Sequence, residues 1–136
     1  MAGARFFIQG KNMPILNVQI MQGHDSERKR DFLRATSDAV VSSVGVPLKS
    51  VRVLIDEVPS DNVIVAGEVG VDVVLIRVLM ISGRTEQAKA ALIAALTQAS
   101  VRALGIDADQ VRVVLFDVPA TDMGMAGGVT AKSMGR

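Results

Sequence analysis

A stretch of nine residues occurs twice in this chain. Val51-Arg52-Val53-Leu54-Ile55-Asp56-Glu57-Val58-Pro59 returns as Val111-Arg112-Val113-Val114-Leu115-Phe116-Asp117-Val118-Pro119, at a spacing of 112 − 52 = 60 residues. The same offset aligns Gly23 with Gly83, Gly45-Val46 with Gly105-Ile106, and Ala66-Gly67 with Ala126-Gly127. No gap is needed between Val18 and Val69. A constant offset held over that length indicates one structural unit duplicated and fused, so any fold proposed for one half must serve the other.

Each unit reads as strand, helix, strand. Residues 16–21 are β-branched and apolar with Asn17 and Gln19 alternating, the pattern of a strand with two unlike faces. Gly23 turns the chain, and Asp25 or Ser26 can cap a helix whose positions Phe32, Leu33, Thr36, Val40 and Val44 follow helical spacing. Gly45 and Pro47 end it, and 51–58 is a second strand. The copy predicts a strand over 71–81, a cap at Thr85, a helix to about Leu104 and a strand over 110–118. Loop-rich segments follow each unit, at 61–70 and 121–128. A crossover through a helix makes the two strands of a unit parallel. The expected class is α+β: two tandem β-α-β units forming a four-stranded mixed sheet with two helices on one face. The divisions are an N-terminal extension over 1–13, a first unit over 14–70 and a second over 71–136, both units in one compact domain.

A sheet covered on one face leaves the other to be explained. Val51, Val53, Ile55 and Val111, Val113, Leu115 form rows that can meet the helices. The opposite rows hold Arg52, Leu54, Asp56 and Arg112, Val114, Phe116, and Arg77 alone interrupts an otherwise apolar strand. A half-apolar uncovered face predicts an oligomer.

Composition removes whole classes of chemistry. The chain has no Cys, which excludes disulfides, thiolate nucleophiles and zinc clusters, and its one histidine, His24, argues against an all-protein metal site. A net charge of +1 gives no reason to expect nucleic acid. No apolar run reaches the ~20 residues of a membrane helix, and the N-terminal stretch is too short in apolar residues for a signal peptide. No membrane partner is expected, and the location is expected to be cytoplasmic.

Several features together carry a family resemblance. Met13-Pro14-Ile15-Leu16, the turn at Gly23, the run from Gly45 to Val53 and the closing Glu57-Val58-Pro59 resemble a whole subunit of oxalocrotonate tautomerase. The second unit resembles another, through Gly83-Arg84-Thr85-Glu86-Gln87, Val111-Arg112-Val113 and Gly124-Met125-Ala126-Gly127-Gly128. The likeness runs from Pro14 to about Gly128, and its specificity lies in the ordered set rather than in any one motif. It implies catalysis by an amino-terminal proline without a cofactor, arginines that grip a small anionic keto acid, and, for fused relatives, a homotrimer. By position, Pro14 falls on the proline, Arg84 on the arginine after the first strand, and Arg52 and Arg112 on the arginine of the second strand. His24 stands where the first unit would carry the turn arginine, Val74 where the second would carry the proline, and Val63 and Met123 where a pocket phenylalanine is expected. The proline and the turn arginine thus survive in different units. In asymmetric relatives they come from different units, which would put Pro14 and Arg84 in one pocket, with Arg52 or Arg112 arriving from nearby.

The implied reaction is isomerisation, a proton moved within an enolic or unsaturated keto acid by a secondary amine. Hydration, dehalogenation or decarboxylation within the same superfamily needs an added carboxylate, and the matching positions, Val65, Met125 and Ser50, are not acidic. A non-enzymatic oligomer remains the third reading, because an acylated Pro14 nitrogen has no basic lone pair. Either synthesis starts at Met13 and removal of that methionine frees Pro14, or the base is blocked; the first is favoured because 1–12 resembles nothing else in the chain. Plainer roles stand beside these: Pro14 opening an edge strand, Arg52 and Arg112 as solvated or interface residues, His24-Asp25-Ser26 as a helix start, and Gly124 to Gly128 as a hairpin or interface segment.

Overall fold

The computed structural model describes residues 13–135. The elements are β1 (Ile15–Met21), α1 (Ser26–Val44), β2 (Arg52–Val58), a two-stranded hairpin of β3 (Ile64–Val65) and β4 (Glu68–Val69), β5 (Val74–Ile81), α2 (Glu86–Leu104) and β6 (Val111–Val118). The main sheet has the order β2-β1-β5-β6, with β1 parallel to β2, β5 parallel to β6, and β1 antiparallel to β5. This is the four-stranded mixed sheet expected of tandem β-α-β units.

The helices begin and end as their sequences direct. The Asp25 carboxylate accepts from the Arg28 backbone N–H at 2.8 Å, and the Thr85 hydroxyl accepts from the Ala88 N–H at 3.1 Å. These caps satisfy donors that the first helical turn leaves unpaired. Gly45 and Gly105 close the two helices in the left-handed region, at φ 73° and 68°. A side chain there would be strained, which is why glycine recurs at the duplicate position.

The duplication extends to the core. Helix α1 buries Phe32, Thr36, Ala39, Val40 and Val44, and α2 buries Leu92, Leu96, Ala99, Ser100 and Leu104, each pair at the repeat offset. They pack on Leu16, Val18 and Ile20 of β1 and on Val74, Ile76, Val78 and Met80 of β5, all buried. The two buried hydroxyls turn back onto their own helices: Thr36 donates to the Phe32 carbonyl at 2.8 Å and Ser100 to that of Leu96 at 2.9 Å. Neither is therefore left unsatisfied. Two ion pairs also repeat, Lys29 with Glu57 and Lys89 with Asp117, each tying a helix to the strand that follows it.

Strand β5 begins at Val74 rather than at 71 as expected. Its pairing with β1 starts at Val74 opposite Ile20, and its pairing with β6 at Val74 opposite Val111, so residues 71–73 take no part in either ladder. Likewise β6 begins at Val111, after a 3-10 turn over Ala108–Gln110.

Among the described residues, no helix covers the second face of the sheet. Leu54, Val114 and Phe116 are 55, 44 and 43% exposed there. Arg77, in the middle of β5, donates to the Gln19 side chain at 3.3 Å.

The core and the ion pairs differ sharply in weight. Phe32→Ala is expected to lower unfolding free energy by about 3–5 kcal/mol, read from urea denaturation at fixed chain concentration. Lys29→Ala, which breaks a part-exposed pair, is expected to cost less than about 1 kcal/mol.

Candidate active site

The register of β1 against β5 fixes what can meet what. Paired residue numbers in that ladder always total 94, as in Ile15 with Leu79 and Ile20 with Val74. A residue sits opposite its own duplicate only where 77 − 17 = 60, at Asn17 and Arg77. A pseudo-twofold axis therefore passes through that pair, and the two copies start at opposite ends of the sheet. The end where the first copy starts is the end where β5 of the second copy finishes.

At the Pro14 end, β1 emerges beside the start of β2. The Arg52 backbone N–H donates to the Pro14 carbonyl at 3.1 Å, and Ile15 pairs with Arg52. Pro14 itself is buried. The residues flanking it, Met13 and Ile15, line a cleft of about 270 Å³ together with Ser50, Arg52 and residues 123–126. Ser50 is held by its hydroxyl, which donates to the Pro47 carbonyl at 2.8 Å. Arg52 is exposed and makes no side-chain hydrogen bond or ion pair with any described residue. It is a cation with no internal partner, standing at the start of the edge strand β2. No acidic residue lines this cleft among the described residues.

A second small core seats the cleft wall. Ile81, Met123 and Ala131 are buried together, with Ile15, Val118, Ala120 and Met125 packed on them. The segment after β6 folds back through a bridge of Gly124 with Thr130, and the Ala131 N–H donates to the Met123 carbonyl at 2.9 Å. Thus Gly124-Met125-Ala126, read from sequence as a hairpin or interface segment, is a hairpin whose tip also walls the cleft. The repeat alone does not reveal this, because the end at which β6 finishes is set by the pairing of β1 with β5.

Arg84 leaves the same end of the sheet, three residues beyond the last residue of β5 and just before the Thr85 cap. Its Nη2 is buried and has no hydrogen-bond partner among the described residues. Burial lowers its pKa from the usual arginine value, because a guanidinium loses hydration there without gaining a partner. A cation so placed is relieved by an incoming anion, and a carboxylate accepts from a guanidinium bidentately.

Arg112 lies elsewhere. It pairs with Leu75 near the start of β5, toward the opposite end of the sheet, four residues or roughly 13 Å along the strands from the level of Arg52. Its Nη1 donates to the carbonyls of Asp109 at 2.6 Å and Val111 at 3.1 Å. Within one chain, then, Pro14, Arg52 and Arg84 belong to one end and Arg112 with His24 to the other. Among the described residues, no group of three or more His, Cys, Asp or Glu is disposed to hold a metal ion.

Comparison with known proteins gives the family and the fold. The family model for the tautomerase enzyme matches twice, over residues 14–72 and 75–132. A 2-hydroxymuconate tautomerase of Pseudomonas sp. strain CF600 is 39% identical over 56 residues, 41% of this chain and 89% of that protein. A fused 4-OT solved as a wild-type symmetric trimer is 54% identical with a TM-score of 0.87, covering 90% of this chain and 99% of its own. A protein solved after inactivation by 2-oxo-3-pentynoate is 43% identical with a TM-score of 0.88 over the same shares of the two chains.

Arg84, unpaired and with its Nη2 buried, carries two expectations. Arg84→Met is expected to leave the melting temperature unchanged or raised, since it removes an uncompensated charge. The same change is expected to weaken binding of a small dicarboxylate such as succinate by about tenfold or more, measured by calorimetry. A fall in stability with binding unchanged would show that Arg84 is structural.

Proposed function

The chain belongs to the tautomerase family, and from that premise we propose that it shifts a proton within a small enolic or unsaturated keto acid, with Pro14 as general base and Arg84 and Arg52 as its anion grips. The observation that carries the residue assignment is the shared sheet end: Pro14 beside Arg52, with the unpaired guanidinium of Arg84 leaving the adjoining strand.

The chemistry follows from a secondary amine in such surroundings. A chain-terminal amine has a reference pKa of about 7.7–8.0, and nearby arginines disfavour its protonated form. Such a base is poised near neutral pH. Pro14 takes the hydroxyl proton of an enol, or a proton from the carbon next to the carbonyl of an unsaturated keto acid; the O–H or C–H electron pair moves into the conjugated system as a dienolate. The ammonium so formed returns the proton to a carbon elsewhere in that system, restoring the carbonyl and the free amine. The oxygen that gains charge is stabilised by a guanidinium held on a strand, which needs no reorganisation during the reaction. A second guanidinium fixes the substrate carboxylate. The 2-hydroxymuconate tautomerase resemblance supports an unsaturated dicarboxylate skeleton as the substrate class.

This chemistry requires a free imino nitrogen, so the active form is one in which Pro14 leads the chain. The hydration, dehalogenation and decarboxylation alternatives lack support, because they call for a carboxylate and the cleft lining has none.

The active particle in this reading is a homotrimer, as the fused relative forms. The uncovered sheet face, with Leu54, Val114 and Phe116 exposed, is the surface that would be buried. Trimerisation would also let a neighbouring chain bring its Arg112 to the Pro14 end, which its own sheet holds it away from. A cytoplasmic location belongs to the same reading; among the described residues, no helix is long and apolar enough to cross a membrane.

Two measurements test this. Chain beginning at Pro14 is expected to ketonise 2-hydroxymuconate, while chain retaining residues 1–13 is expected to be inactive; Pro14→Ala in the shortened form is expected to lose roughly 100-fold or more in kcat/KM. Equal rates from both chain lengths would remove the proline from the mechanism. Phe116→Asp is expected to convert trimer to smaller species in sedimentation velocity, and an unaltered trimer would reassign the interface.

A further inference from the structure

The pseudo-twofold axis creates a second place equivalent to the Pro14 end, and the two have diverged. There the proline position is Val74, a secondary amide buried inside the chain, so no base is available. His24 occupies the counterpart of Arg84, since 84 − 24 = 60. Yet this end is not filled in. It holds a cavity of about 490 Å³ lined by His24, Arg28, Ser60, Gly70, Asp72 and Gly105, among others. The Arg28 guanidinium approaches the Gly105 cap that ends α2, with Nη1 3.9 Å from where a Cβ would lie. The position equivalent to Arg28 in the second unit is Ala88, so this cation has no counterpart at the Pro14 end.

Three features give the cavity a preference for anions. The Arg28 side chain makes no hydrogen bond or ion pair with any described residue, so its donors are uncommitted. His24 presents an imidazole N–H in either protonation state. Ser60 adds a hydroxyl. Opposing them is Asp72, on the segment between the two units. It forms no ion pair with Arg28 or His24, so it repels an anion without replacing one.

We infer that the Val74 end of the sheet is a second, non-catalytic binding site for a small carboxylate, held by Arg28 and His24. It takes molecules with the anionic group of the substrate or product and does not transform them. This inference stands apart from the proton-transfer role of Pro14, because none of its residues takes part in that site.

The single histidine makes the test unambiguous, since untagged protein has one imidazole signal set and it lies in this cavity. Succinate is titrated at constant ionic strength while the His24 resonances are followed by NMR. A saturable shift is expected that sodium chloride does not reproduce. Arg28→Ala is expected to raise the midpoint roughly tenfold or more, Asp72→Asn to lower it, and Arg84→Met to leave it unchanged. A shift that never saturates, or one with the same midpoint in Arg28→Ala, overturns the site. So does a His24 response abolished by Arg84→Met, which would place the bound succinate at the other end. Weaker binding in Asp72→Asn than in the unaltered chain would overturn the assignment of the ligand as a simple anion.

Discussion

The antiparallel pairing of β1 with β5 is the contact from which the rest of the arrangement follows. Each β-α-β unit could form its own parallel ladder and bury one helix on it, but neither alone covers both edges of its first strand. Joining β1 to β5 removes those two edges from solvent at once and brings the helices side by side over a continuous core. It also sets the pseudo-dyad at Asn17 and Arg77. Had the register slipped by one residue, Leu16, Val18 and Ile20 would no longer face the helices alongside Val74, Ile76 and Val78. The hydrophobic pattern and the site geometry are therefore specified by the same ladder.

Much of this is legible in sequence because a repeat exposes what each copy must keep in order to fold. Gly45 and Gly105 meet the same backbone demand, and Lys29 with Glu57 meets the same helix-to-strand tie as Lys89 with Asp117. The alternation of Val53 and Ile55 with Leu54 and Asp56 gives the faces directly. What sequence could not give is the pairing between units, since strand order and register depend on contacts far apart in the chain. Without that register, Arg52 and Arg112 look interchangeable; with it, they stand at opposite ends of the sheet. The cleft wall at Met123 to Ala126 is not legible in the sequence for a related reason. Its position depends on a second small core around Ile81 and Ala131, and no periodicity announces that packing. The start of β5 at Val74 likewise follows the first rungs of its ladders with β1 and β6, not the apolar character of Val71 and Val73.

Duplication changes the constraints on a site that spans two units. In an isologous pair of identical units, every residue is used twice, so replacing the turn arginine damages both ends together. Fusion separates the two uses. His24 can depart from arginine without touching Arg84, and Val74 can depart from proline without touching Pro14. The core changes within a narrower limit: Phe32 corresponds to Leu92 at the repeat offset, and Thr36 to Leu96, each changed in kind but still filling a buried position. Packing tolerates exchange among groups of similar volume, whereas a base or a guanidinium has no substitute of comparable chemistry.

Under the proposed proton transfer, this difference accounts for where Pro14 and Arg84 lie. A proline can serve as a base only where a chain can begin, and in a fused protein that is possible at the first unit alone. The second unit's Val74 is embedded in a continuous backbone, so a proline there would give nothing and would be free to drift. Once that end cannot turn over substrate, no selection for catalysis holds its arginine, and His24 is consistent with that release. The arginine that must persist is the one reaching the Pro14 end, which the register assigns to the second unit. The asymmetry of the two halves is thus a consequence of the peptide bond that joins them: it blocks one amine, and the sheet then dictates which guanidinium still has a partner to serve.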